Sequence, residues 1–124
     1  MALAGACDSG DGPTNPSDPT PGPLVTETFA GTLTVNGGQT FNFPAGGAGE
    51  VVATLTATTP DNAVMGIALG TWTGVCQIVL ANDNASRGNG VTAVASSFGH
   101  LCVRVYDVGQ LTSSSTFTVT VIHP

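Results

Sequence analysis

Thr28-Phe29-Ala30-Gly31-Thr32-Leu33-Thr34-Val35, followed by Asn36-Gly37-Gly38, is the stretch that decides the fold class. Phe29, Gly31, Leu33 and Val35 alternate with Thr28, Ala30, Thr32 and Thr34, a period of two that turns one face of an extended chain to a core and the other to water. Asn-Gly-Gly is turn chemistry, and the reading is a hairpin into Gln39–Phe43, with Phe41 and Phe43 continuing the inward face. The same pattern recurs downstream. Val51, Ala53, Leu55 and Ala57 alternate with Val52, Thr54, Thr56 and Thr58 up to a turn at Thr59-Pro60-Asp61-Asn62. Further strands are predicted at Ala63–Leu69, Val75–Ala81, Val91–Ser97, Leu101–Tyr106 and Thr116–Ile122, and no stretch carries a helical period. About eight short strands separated by turns imply an all-β domain over residues 24–124, a single antiparallel β-sandwich of the jelly-roll or immunoglobulin-like kind.

Upstream of that domain, Asp8–Pro23 holds five prolines, three glycines, three aspartates and no large apolar side chain. Burial cannot offset the entropy of ordering such a segment, so it reads as a disordered tether. Proline keeps it extended, with a reach on the order of 50 Å at roughly 3.1 Å per residue.

Composition excludes several functions. The 124 residues carry eight acids against two cations, Arg87 and Arg104, for a net charge of -6. Nucleic acid is excluded as a partner, because phosphate neutralisation needs lysine and arginine. Charged residues make up 8% of the chain, far below the roughly 25% of an ordinary globular domain. Threonine, serine, asparagine and glycine supply the polarity instead, a composition that suits an extracytoplasmic β protein.

Two resemblances sharpen that expectation. Met1–Cys7, with small residues Ala4, Gly5 and Ala6 ahead of the cysteine, resembles the lipobox of bacterial lipoproteins. The resemblance implies lipidation of Cys7, with residues 1–7 the remnant of a signal peptide whose basic and apolar regions precede the given start. It also implies a membrane partner through the lipid anchor and a location in the bacterial cell envelope, periplasmic or at the cell surface. The second resemblance rests on Phe41-Asn42-Phe43, on the strand Gly49–Leu55, on Ile78–Leu80 leading to Asn82-Asp83-Asn84, and on the closing strands Gly99–Val105 and Phe117–Val121. In that order they resemble the bacterial pre-peptidase C-terminal domain family, small β-sandwiches appended to secreted enzymes. This implies an accessory role in substrate binding, secretion or folding, and some members of the family bind calcium.

Candidate chemistry is sparse. Cys76 and Cys102 lie on predicted strands of an exported chain, and a disulfide between them would stabilise by roughly 3–4 kcal/mol in the chain-entropy model. Two buried thiols are the alternative, because Cys76 shares a face with Ile78 and Leu80 whereas Cys102 shares one with Arg104 and Tyr106. A bulge in one strand, or a misread face, would reconcile them. Asp61, Asp83 and Asp107 are oxygen donors in predicted loops and are the calcium candidates, although acids and asparagines there also build ordinary turns. Trp72, flanked by Gly70 and Gly74, could stack on a sugar ring beside Asn82 and Asn84, or fold back to cap the sandwich. Tyr106 and Phe98 are the other aromatic candidates.

No G-x-S-x-G elbow, zinc spacing or phosphate loop occurs, and the histidines are His100, ahead of a strand, and His123, near a terminus where fraying is common. The expectation is a non-catalytic binding or scaffolding module, with a protein or polysaccharide partner and no cofactor. A carbohydrate- or calcium-binding accessory domain is the alternative, and a hydrolase the remote one.

Overall fold

The computed structural model describes residues 23–97 and 99–124, so the Cys7 and tether expectations lie almost wholly outside the described residues. Eight strands form: β1 (Val25–Leu33), β2 (Gly38–Ala45), β3 (Gly49–Thr59), β4 (Met65–Trp72), β5 (Cys76–Ala85), β6 (Gly90–Ala95), β7 (Gly99–Tyr106) and β8 (Ser115–His123). They make two four-stranded antiparallel sheets, ordered β1-β8-β3-β6 and β2-β7-β4-β5. The pairs β1/β8, β2/β7, β3/β6 and β4/β5 are those of one long hairpin rolled over on itself, and β3/β8 and β4/β7 close the roll. Of the two architectures the strand pattern left open, this is the jelly roll.

The rolled topology corrects the first turn. Asn36-Gly37-Gly38 does not close a hairpin, because β1 pairs with β8 and β2 with β7. It is a corner between sheets instead. Asn36 takes φ 60°, a conformation asparagine tolerates better than most residues. The strand ends before Val35, which is 43% exposed rather than inward. Across this side of the sandwich Phe29 of β1 stacks on Phe41 of β2 with ring centroids 4.9 Å apart.

Alternation elsewhere maps onto burial. Phe117, Val119 and Val121 of β8 meet Val51, Ala53 and Leu55 of β3 and Phe43, Val103 and Val105 of the facing sheet, all buried. The exception is Ala57, expected inward and found exposed. A register shift between Leu55 and Ala57 inserts one residue, so the inward place passes to Thr58, whose hydroxyl donates to the Pro60 oxygen at 2.8 Å. β4 departs from half-burial altogether, with every residue from Met65 to Gly70 buried on both faces.

Phe117 is 2% exposed and sits edge-on to Phe41 at 6.1 Å. Truncating it to alanine removes a large side chain at the point where both sheets meet. Phe117→Ala is therefore expected to cost about 3–5 kcal/mol, read as a lowered urea midpoint under non-reducing conditions.

Candidate functional site

The outer face of the β2-β7-β4-β5 sheet carries both predicted disulfide cysteines. Cys76 and Cys102 are joined in a disulfide. β5 and β7 both flank β4, and in a flat sheet two strand spacings would separate them by about 10 Å. The cysteine Cα atoms are 5.8 Å apart, so β5 folds over the outer face of β4. Glycine permits this. The Gln77 carbonyl occupies the place a β-carbon on Gly70 would take.

The same place resolves the conflict of faces. Leu80 pairs with Leu69 and Ile78 with Gly70, so Val79 drops out of the ladder and the alternation changes sides there. Cys76 and Ile78 thereby join Gly70 and Cys102 on the outer face, whereas Leu80 does not. A bulge in β5 is the reconciling device. Further along the row, the Tyr106 ring covers Gly66, and the Tyr106 hydroxyl donates to Asp83. Burial first, and the Asp83 carboxylate second, push the Tyr106 pKa up to about 12.

The three calcium candidates are not brought together. Asp61, in the turn after β3, lies 3.7 Å from Arg87 in the turn after β5. Asp83 receives Tyr106 on β5. Asp107, after β7, is a loop organiser: one carboxylate oxygen accepts the N–H groups of Gly109, Gln110 and Leu111, and the other accepts that of Asn36 at 2.8 Å. Among the described residues no group of three or more His, Cys, Asp or Glu could hold a metal ion.

The sugar-stacking trio is likewise dispersed. Trp72 is half-buried at the end of β4 opposite Cys76, whereas Asn82 stands opposite Ile67, about 17 Å along the ladder at roughly 3.4 Å per residue. Asn82 is already used, its amide donating to the Gly90 oxygen and its side-chain oxygen accepting the Asn84 N–H. Asn84 is exposed beside it. Phe98 and Cys7 lie outside the described residues.

His100 is exposed on β7. His123, expected to fray, is 2% exposed instead. One ring nitrogen lies 2.5 Å from Glu27 of β1 and the other 2.9 Å from the Pro124 oxygen, with Phe43 at 4.8 Å from the ring. Both nitrogens are thus engaged, Nε2 fastening β8 to β1 through Glu27 and Nδ1 holding the carbonyl of the next residue.

What sequence reasoning missed is an apolar strip on the side of the sandwich opposite the phenylalanine stack. Val75, Val79 and Val94 are 62%, 70% and 79% exposed, with Ile78 and Leu80 partly so. Val79 and Val94 flank a slot of about 70 Å³ that opens toward Val51, Leu69 and Leu101. Val79 and Val94 sit on strands whose alternation reads as ordinary, and only the bulge and the edge position expose them. No charged side chain lines the slot, so this surface can take an apolar or backbone partner and has no group for acid–base chemistry.

No family model matches the chain, and no curated protein does. Among solved structures, one that it is similar to comes from Bacillus endospore appendages, described as a novel family of disulfide-linked pili. The likeness covers 89% of this chain and 97% of that one, at 12% identity and a TM-score of 0.40. No residue of this chain takes a role from it.

Two outcomes follow from the geometry. In denaturant without reductant, a thiol reagent should label only Cys7 of the unlipidated chain, and prior reduction should add Cys76 and Cys102 while lowering stability by roughly 3–4 kcal/mol. For Asp107, the Asn36 N–H above all, helped by those of Leu111, Gly109 and Gln110 and opposed by partial desolvation, holds its carboxyl below the ordinary value. A depressed folded pKa contributes stability that is present above the unfolded pKa and is lost as pH falls through the folded one. Asp107→Asn should therefore melt below wild type at neutral pH, the gap closing in acid, as thermal unfolding across a pH series would show.

Proposed function

We propose that the chain is a non-catalytic envelope module, exported, anchored by lipid on Cys7 and held clear of the membrane by residues 8–23, whose β-sandwich docks with a protein as part of an assembly. The Cys76–Cys102 disulfide carries the reading. Bonds of this kind persist in oxidising compartments and are rare in the cytosol, so the domain is extracytoplasmic. The lipobox-like residues before Cys7 supply the anchor in this account. A protein partner is favoured over a polysaccharide because the exposed slot is flanked by Val79 and Val94, whereas Trp72 and Asn82 stand far apart and Asn82 is engaged. The resemblance to the pre-peptidase C-terminal family fits an accessory rather than a catalytic role. Both His123 nitrogens are spent within the fold, which supports the same reading.

The test is metabolic labelling with an alkyne fatty acid, the gene being expressed in its host with its own upstream sequence. Label on the wild-type chain in the membrane fraction, and its loss in Cys7→Ser, is the expected result. Recovery of an unlabelled chain from the cytosol with Cys76 and Cys102 reduced would overturn the proposal.

A further inference from the structure

Two connections carry the chain between the sheets side by side. Residues 60–64 join β3 to β4, and residues 107–114 join β7 to β8. Thr59, the last residue of β3, stands opposite Thr116 of β8, and Gly66 of β4 stands opposite Tyr106, the last residue of β7. Both connections therefore leave the same end of the sandwich, and between them lies a cavity of about 250 Å³. It shares no lining residue with the slot flanked by Val79 and Val94. Ala63, which is buried, and Leu111, which packs against the core, give it an apolar part. Asn62, Gln110, Thr112 and Ser113 give it two amides and two hydroxyls, and no charged side chain lines it.

These four polar side chains take no part in holding the loops. The Thr58 hydroxyl and the Ala63 N–H both donate to the Pro60 oxygen, and the Ser115 hydroxyl donates to the Thr59 oxygen. In the second loop the Asp107 carboxylate gathers the N–H groups of Gly109, Gln110 and Leu111. Among the described residues, the side chains of Asn62, Gln110, Thr112 and Ser113 make no hydrogen bond of their own. Loops fixed by other groups, with donors and acceptors unspent around a concavity, keep the ordering cost of binding low.

We infer that this cavity binds one neutral sugar residue. The inference goes beyond the assembly reading and does not rest on it. An ionised ligand would find no opposite charge on the lining. The carboxylates of these loops do not supply one, since Asp61 faces Arg87 and Asp107 is taken up by backbone N–H groups. A wholly apolar ligand would cover two amides and two hydroxyls without satisfying them. An extended peptide spreads its hydrogen-bonding groups along a line, whereas a cavity of about 250 Å³, below the roughly 300–1,000 Å³ of drug-sized sites, suits a single ring. What remains is a compact ligand with hydroxyls around an apolar ring face. Each amide and hydroxyl of the lining can donate and accept, as every sugar hydroxyl can, and Ala63 and Leu111 suit the carbon-bound hydrogens of the ring. Trp72 and Asn82, which the sequence suggested for a sugar, are not part of this site.

The experiment uses the full-length chain carrying Cys7→Ser, with the native disulfide intact and isotope-labelled for NMR. Backbone and side-chain amide signals are followed as D-glucose, D-galactose, D-mannose, L-fucose, D-xylose or N-acetyl-D-glucosamine is added to about 100 mM. At least one of these sugars is expected to give saturable shifts confined to residues 60–64 and 107–114, the side-chain amides of Asn62 and Gln110 among them. Asn62→Ala and Gln110→Ala should each weaken that binding about tenfold, the worth of one hydrogen bond. Neither should move the melting temperature, since neither side chain bonds within the fold. Tetraglycine and sodium sulfate are the peptide and anion probes. No saturable shift with any of the sugars, shifts centred on Trp72 or on the valine-flanked slot, binding unaltered in the double variant, or a stronger response to tetraglycine or sulfate would each overturn the inference. None of these results bears on lipidation, compartment or assembly, so the envelope reading stands or falls separately.

Discussion

The fold of β5 over the outer face of β4 depends on Gly70 having no side chain. Any β-carbon there would meet the Gln77 carbonyl, and three features would be lost together. β5 would lie flat beside β4, the alternation would not change sides at Val79, and Cys76 would stand about 10 Å from Cys102, beyond the reach of a disulfide. Gly66 has the same relation to the Tyr106 ring. With Ala68 between them, these small residues make β4 a strand buried on both faces although it belongs to a two-layer sandwich. A local absence of side chain thus fixes where the covalent cross-link lies and what it covers.

How much of this was legible in the sequence follows from the range of the interactions concerned. Period-two alternation with threonine on the wet face identified β1, β3 and β8, because each turns one face to the core and the other to solvent as a half-buried strand should. The same logic failed at single residues where one extra amino acid shifts the pattern, at Thr56 and at Val79. A bulge leaves no mark in composition, so Ala57 and Ile78 read as inward. Asn36-Gly37-Gly38 was legible as a turn but not as a corner, since turn chemistry does not say whether the next strand joins the same sheet. Here only β4 and β5 are both consecutive and paired.

The candidate site was less legible than the fold. The disulfide could be argued from compartment and cysteine count, and its geometry could not, because β4 intervenes between the two strands. His123 looked like a frayed terminus for want of its partner, Glu27, which is 96 residues away and joins it only once β1 and β8 pair. The acids that suggested calcium are committed to local work: Asp107 to four backbone N–H groups, Asp83 to a phenol, Asp61 to an arginine in another turn. Asparagine and aspartate in loops carry this ambiguity by nature, since the oxygens that would bind a cation also satisfy the backbone of a turn.

The two open sides of the sandwich are closed by different means. On the β1–β2 side, Phe29, Phe41, Phe43 and His123 fill the mouth with rings in contact, Phe29 stacked on Phe41 and the others tilted. Across it, β5 and β6 present Val79, Ala93, Val94 and Ala95, which are too small to close the layers, and a slot remains. A chain with 8% charged residues has few means of keeping such a surface from other proteins, and β6 uses none of them. Exposed apolar area that contributes nothing to the fold is a liability unless something covers it. The aromatic side is thus closed by rings of the fold itself, whereas the aliphatic side leaves Val79 and Val94 open to solvent.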